Sequence, residues 1–97
     1  MKKCNSLQEV RSEIDTLDTQ LVALISERSH LIRQAASFKN SVDEVKAEDR
    51  IDFILARVRH QAIQLGINPN MISELFTTMI DEMVETEIAE FRNADTF

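Results

Sequence analysis

Residues 7–39 read LQEVRSEIDTLDTQLVALISERSHLIRQAASFK, and the fold is decided there. Apolar side chains fall at Leu7, Val10, Ile14, Leu17, Leu21, Leu24, Leu31, Ala35 and Phe38, in alternating steps of three and four. That is the heptad seam of a helix that packs lengthwise on another helix. Just ahead, Ser6-Leu7-Gln8-Glu9 has capping-box form, in which the Ser hydroxyl accepts from the amide three residues on and the Glu carboxylate returns to the cap amide. The spacing therefore predicts a helix from Leu7 to about Lys39. Such a helix is about 50 Å long, more than the remaining chain can wrap, so it is expected to pack along a second copy of itself.

Downstream, Asn40 to Lys46 shows no period and reads as a loop. Ile51, Ile54, Leu55, Val58, Ala62 and Leu65 mark a second helix over roughly 47–65, and Gly66 suits the left-handed position that ends it. Asn68-Pro69 supplies an N-cap and an N1 proline for a third helix, roughly 69–92. Its stripe is Ile72, Leu75, Phe76, Met79, Ile80, Met83, Val84, Ile88 and Phe91. Composition agrees with this helical reading: 97 residues hold one Gly, one Pro, no Trp and no Tyr, with 43% apolar and 29% charged. A β-rich fold needs turn formers that are nearly missing here. The expectation is an all-α chain, one domain over residues 1–97, with three helices. A domain this small buries only about 60–70% of its unfolded surface, which favours a homodimer.

Eleven Lys and Arg against 17 Asp and Glu give a net charge of −6. That sign repels phosphate backbones and anionic lipid, so neither nucleic acid nor membrane is an expected partner. Cys4 is the single cysteine and cannot form an internal disulfide, which fits a reducing cytoplasm. Met1-Lys2-Lys3 is followed by polar residues rather than a signal peptide's apolar run, and no stretch has a membrane span's length. His30 and His60 stand apart from any partner at metal-ligand spacing, so no metal is expected. No phosphate-binding loop, dinucleotide fingerprint or nucleophile-base pair is legible.

The informative residues break the apolar pattern. Position 28 belongs on the seam and is Arg28. A guanidinium there costs several kcal/mol unless anions satisfy it, so it faces either an internal carboxylate or a bound anion. Arg11 and Lys39 border the same seam, and three cations on one apolar line of an acidic protein favour the anion. On a continuous helix Arg28 and Lys39 lie about 16 Å apart, a gap two long side chains can close onto a small dianion, whereas Arg11 lies about 26 Å from Arg28. If two such helices pair antiparallel about an axis near residue 22, Arg11 of the second copy falls between Arg28 and Lys39. Two composite sites per dimer follow. Arg50, at the start of the second helix, is able to reach the same pocket or to pair with Glu48 or Asp49. Glu87 falls on the apolar face of the third helix, where it either pairs with a cation or keeps its proton with a raised pKa.

With these residues in view, Val10-Arg11-Ser12-Glu13-Ile14-Asp15-Thr16-Leu17-Asp18, then Leu21-Val22-Ala23-Leu24-Ile25-Ser26-Glu27-Arg28 and Lys39, the chain resembles the all-helical chorismate mutases over roughly residues 7–91. The same fold includes isochorismate-pyruvate lyases. The resemblance implies an intertwined dimer of three-helix subunits. In it Arg28 and the second copy's Arg11 hold substrate carboxylates, Lys39 contacts the ether oxygen and a carboxylate, and Arg50 adds a further cation. Glu87 matches the Gln or Glu opposite that oxygen. Both reactions are pericyclic and need no cofactor, metal or covalent nucleophile; the protein selects a compact conformer and stabilises charge on the breaking ether oxygen.

The departures lie at the substrate-binding positions. Many mutases carry an acid directly after the second-helix Arg, where this chain has Ile51. An acid three residues before that Arg is replaced by Ala47, and a Ser of the third helix by Met83. Ile51 and the Ala35-Ala36-Ser37-Phe38-Lys39 stretch are lyase-like, while Glu87 favours the mutase. The expected activity is chorismate to prephenate, in aromatic amino-acid biosynthesis. The alternatives are isochorismate to salicylate and pyruvate, or a helical dimer that only binds partners.

Overall fold

A computed structural model describes residues 3–95, and side chains over 3–44 and 46–92. Met1 and Lys2 of the Met1-Lys2-Lys3 start, and residues 96–97 of the expected domain, lie outside the described residues. The order is α1 (Leu7–Ala36), α2 (Val42–Lys46), α3 (Glu48–Leu65) and α4 (Pro69–Asp95). Among the described residues the fold is all-α, with three long helices and one short turn of helix between the first two.

The chain forms two compact units, Met1–Leu31 and Ile32–Phe97. The first is the greater part of α1. Ser6 caps it as expected, its Oγ accepting the Glu9 N–H at 3.1 Å. The Glu9 carboxylate returns one residue further than the capping-box form predicts, accepting the Asn5 N–H at 2.7 Å. No residue from Leu7 to Leu31 is buried. Leu7, Leu17, Leu24 and Leu31, on the seam read from the sequence, are each more than 60% exposed.

The second unit carries the core. Ile54 and Val58 of α3 meet Ile80 of α4, with Ile51, Leu55, Ile72, Phe76 and Val84 packed around them. The hairpin joining α3 to α4 follows the turn chemistry. Gly66 has φ 75°, its N–H bonds the Ile63 carbonyl at 3.2 Å, and the Ile67 N–H bonds the Ala62 carbonyl at 3.0 Å. This is the Schellman pattern, which satisfies the last carbonyls of α3. Asn68 Oδ1 then accepts the Asn70 N–H at 2.9 Å and caps α4. Arg59 donates from Nη1 to Asn70 Oδ1 at 3.0 Å, tying α3 to the start of α4.

Three features depart from the sequence expectation. α1 stops at Ala36 rather than near Lys39: the amides of Ser37, Phe38 and Lys39 bond the carbonyls three residues back, and Ser37 Oγ donates to the Gln34 carbonyl at 2.7 Å. The helix tightens into a final turn and ends. The expected loop over residues 40–46 contains α2, because Ser41 Oγ accepts the Glu44 N–H at 3.2 Å while the Glu44 carboxylate accepts the Asn40 N–H at 2.8 Å. Ser41-Val42-Asp43-Glu44 has the same form as Ser6-Leu7-Gln8-Glu9, a signal that the missing apolar period concealed. At the far end Ala47 takes the left-handed conformation, φ 34°, and its N–H closes on the Asp43 carbonyl. α4 also extends past the expected residue 92, to Asp95.

Candidate active site

Arg11 and Arg28 belong to the first unit, both on α1 and both held by its backbone at fixed helical spacing. Arg11 is exposed and Arg28 half-buried. The second unit holds Lys39, Arg50, Ile51, Met83 and Glu87. Since α1 ends before Lys39, that residue stands in the turn leading to α2, and helical rise no longer measures its separation from Arg28.

Glu87 is the one charged side chain buried among the described residues, at 8% exposure, and its Oε2 has no hydrogen-bond partner among them. α4 positions it: Ile80, Glu87 and Ile88 are buried on that helix, so the carboxyl shares an apolar environment. Burial raises its pKa above the ordinary 4.5, and the Lys39 ammonium opposes that rise by favouring the charged form. Burial is the larger effect, because an apolar site penalises the anion.

Lys39 and Glu87 are thus brought together by the turn after α1 and the later part of α4. Lys39 is half-buried, and its Nζ donates to the Glu44 carbonyl at 3.2 Å. That acceptor is a neutral backbone carbonyl, not a carboxylate.

Arg50 is exposed in the first turn of α3, its guanidinium 5.4 Å from the centre of the Phe53 ring. It lines an open depression of about 610 Å³ with Asp43, Lys46, Ala47, Glu48 and Asp49. Ile51 packs against the Ile54, Val58 and Ile80 core and also borders a groove of about 360 Å³ beside Val84 and Ile88. Met83 is half-buried on α4. Neither depression includes Lys39 or Glu87. Glu44 and Phe53, which touch two of these cations, were missed by the sequence reading. The Ser41–Glu44 capping pattern was available as a signal for the first; for the second, only its place three residues after Arg50.

Among the described residues no group of three metal-ligating side chains converges, and no helix is long and apolar enough to cross a membrane. Among the described residues the arrangement is a helical scaffold carrying cations and one buried carboxyl, and the cations suit it to holding an anion.

The sequence profile of the family described as chorismate mutase type II matches residues 10–88, most of the chain. The chain belongs to that family. A chorismate mutase of Methanocaldococcus jannaschii is 28% identical over 76 residues, covering 77% of this chain and 77% of that one. A bifunctional chorismate mutase/prephenate dehydratase of Buchnera aphidicola subsp. Schizaphis graminum is 28% identical over 88 residues, covering 90% of this chain and 23% of the relative. The T-protein of Haemophilus influenzae is similar to the same extent, 28% over 88 residues and again 23% of its length. This chain therefore spans less than a quarter of those two longer relatives.

Proposed function

We propose that the chain rearranges chorismate to prephenate, as a homodimer whose two sites are each built from both copies. One observation carries the site reading: the buried Glu87 carboxyl, with Oε2 unpartnered, beside the charge of Lys39. In a protonated state Glu87 donates a hydrogen bond to the ether oxygen as negative charge develops there, and Lys39 stabilises the same charge. Arg28 and the second copy's Arg11 hold the substrate carboxylates, Arg50 adds a cation, and Ile51 and Met83 form apolar wall. No nucleophile or proton transfer is needed, because one bond breaks and another forms within the substrate in a single cyclic step. The protein contributes conformer selection and charge stabilisation.

The exposed α1 seam supports the dimer. Leu17, Leu21, Val22 and Leu24 are 55–66% exposed, and antiparallel pairing about an axis near Val22 covers them while carrying Arg11 of each copy toward the other's site. Residues 1–97 act as one domain of this assembly, and the lone Cys4 fits a reducing cytoplasm.

The test is to incubate the protein separately with chorismate and isochorismate and identify the products. Prephenate from chorismate supports the proposal. Salicylate and pyruvate from isochorismate, with no prephenate from chorismate, supports the lyase reading, which Ile51 favours because an acid that would receive the substrate hydroxyl is absent there. Turnover of neither substrate supports a helical dimer that only binds partners.

A further inference from the structure

We propose that α2 with its flanking residues is a positioning device for Lys39, acting through Glu44; this rests on the reading of Lys39 as a substrate-contacting residue. The turn is closed at several points. Lys39 Nζ donates to the Glu44 carbonyl at 3.2 Å. The Glu44 amide is fixed by Ser41 Oγ at 3.2 Å, and its carboxylate is anchored on the Asn40 N–H at 2.8 Å. The residue that receives the ammonium is therefore tied back, by its own side chain, to the residue directly after the lysine. Beyond it the Ala47 N–H reaches the Asp43 carbonyl and ends α2 in a left-handed residue.

The chemistry of the acceptor matters. A lysine head on a four-carbon stem samples many positions, and a fixed acceptor removes that freedom before substrate arrives. A carboxylate in that place would largely cancel the charge. Here Glu44 offers its neutral carbonyl and turns its carboxylate to a backbone amide instead. The bond to that carbonyl takes one ammonium donor, and an ammonium has three to offer. Glu44 is exposed, so the arrangement is not a by-product of core packing.

The experiment is steady-state kinetics on chorismate for Glu44→Ala, Glu44→Gln, Ser41→Ala, Lys39→Ala and the Lys39→Ala/Glu44→Ala double variant, with thermal melts of each. Glu44→Ala should lower kcat about three- to ten-fold with KM changed less than about twofold and Tm nearly kept. Glu44→Gln, which retains an acceptor for the Asn40 amide, should recover most of the rate. Ser41→Ala should lower kcat in the same direction, which keeps the test open if Glu44→Ala fails to fold. In the Lys39→Ala background, removing Glu44 should cost nothing more. Lys39→Ala impaired with both Glu44→Ala and Ser41→Ala at wild-type kcat overturns the positioning role alone. Wild-type kcat in Lys39→Ala overturns the reading of Lys39 itself. Equal losses in Glu44→Ala and Glu44→Gln, or a loss that adds in full to that of Lys39→Ala, also contradict the proposal.

Discussion

Glu87 is buried on α4 and Arg28 is half-buried on the α1 seam, and each yields a prediction at the scale of a single side chain. The Glu87 pKa is raised in the folded chain above its ordinary 4.5, by burial. The folded state then binds that proton more tightly than the unfolded state, so stability is kept below the unfolded value and falls as pH climbs through the folded one. Glu87→Gln should melt higher than wild type at pH 7–8, with the difference vanishing toward pH 4, as thermal scans across pH would reveal. Activity should follow the same proton: highest in acid and falling as Glu87 ionises, while the Gln variant, a permanent donor, gives a flatter profile. A wild-type rate flat from pH 5 to 8 removes Glu87 from the chemistry. Arg28→Leu completes the heptad seam, so its Tm should be kept or raised, while kcat/KM for chorismate drops by about a hundredfold or more. Loss of fold together with activity would make Arg28 structural.

At the scale of the elements, the hairpin between α3 and α4 has one position that backbone geometry reserves for glycine. Gly66 has φ 75°, and an added Cβ would meet nothing within 4 Å, so Gly66→Ala should cost only the left-handed penalty, about 1 kcal/mol by urea unfolding. A cost of several kcal/mol would point to packing instead. This hairpin was legible in the sequence because Gly66, Asn68 and Pro69 each have one dominant conformational use. The end of α1 was not, since Ser37 and the Ser41–Glu44 pair act through side-chain bonds to the backbone that compete locally with a seam continuing to Phe38. The same contrast holds for the site. Arg28 and Glu87 were visible as polar residues on apolar faces, whereas Glu44 and Phe53 act on a cation from exposed positions and break no pattern.

For the whole molecule, the unburied seam of α1 is the dominant fact. From Leu7 to Leu31 the large apolar residues of the seam stay exposed, an apolar stripe of the kind that a second copy would cover in the proposed dimer. The chain should therefore sediment as a dimer at micromolar concentration, and a folded monomer there would contradict the paired-helix account. Mixed dimers test the central claim, a chorismate site shared between two copies, most directly. Arg11→Ala and Lys39→Ala chains, each inactive alone, are unfolded together, refolded as a mixture and assayed on chorismate. If Arg11 crosses to the other copy, each mixed dimer has one site with both substitutions and one with neither, and should form prephenate at roughly half the wild-type rate per dimer. If each copy builds its own site, every site in the mixture carries a defect, and the activity will stay at the level of the inactive parents.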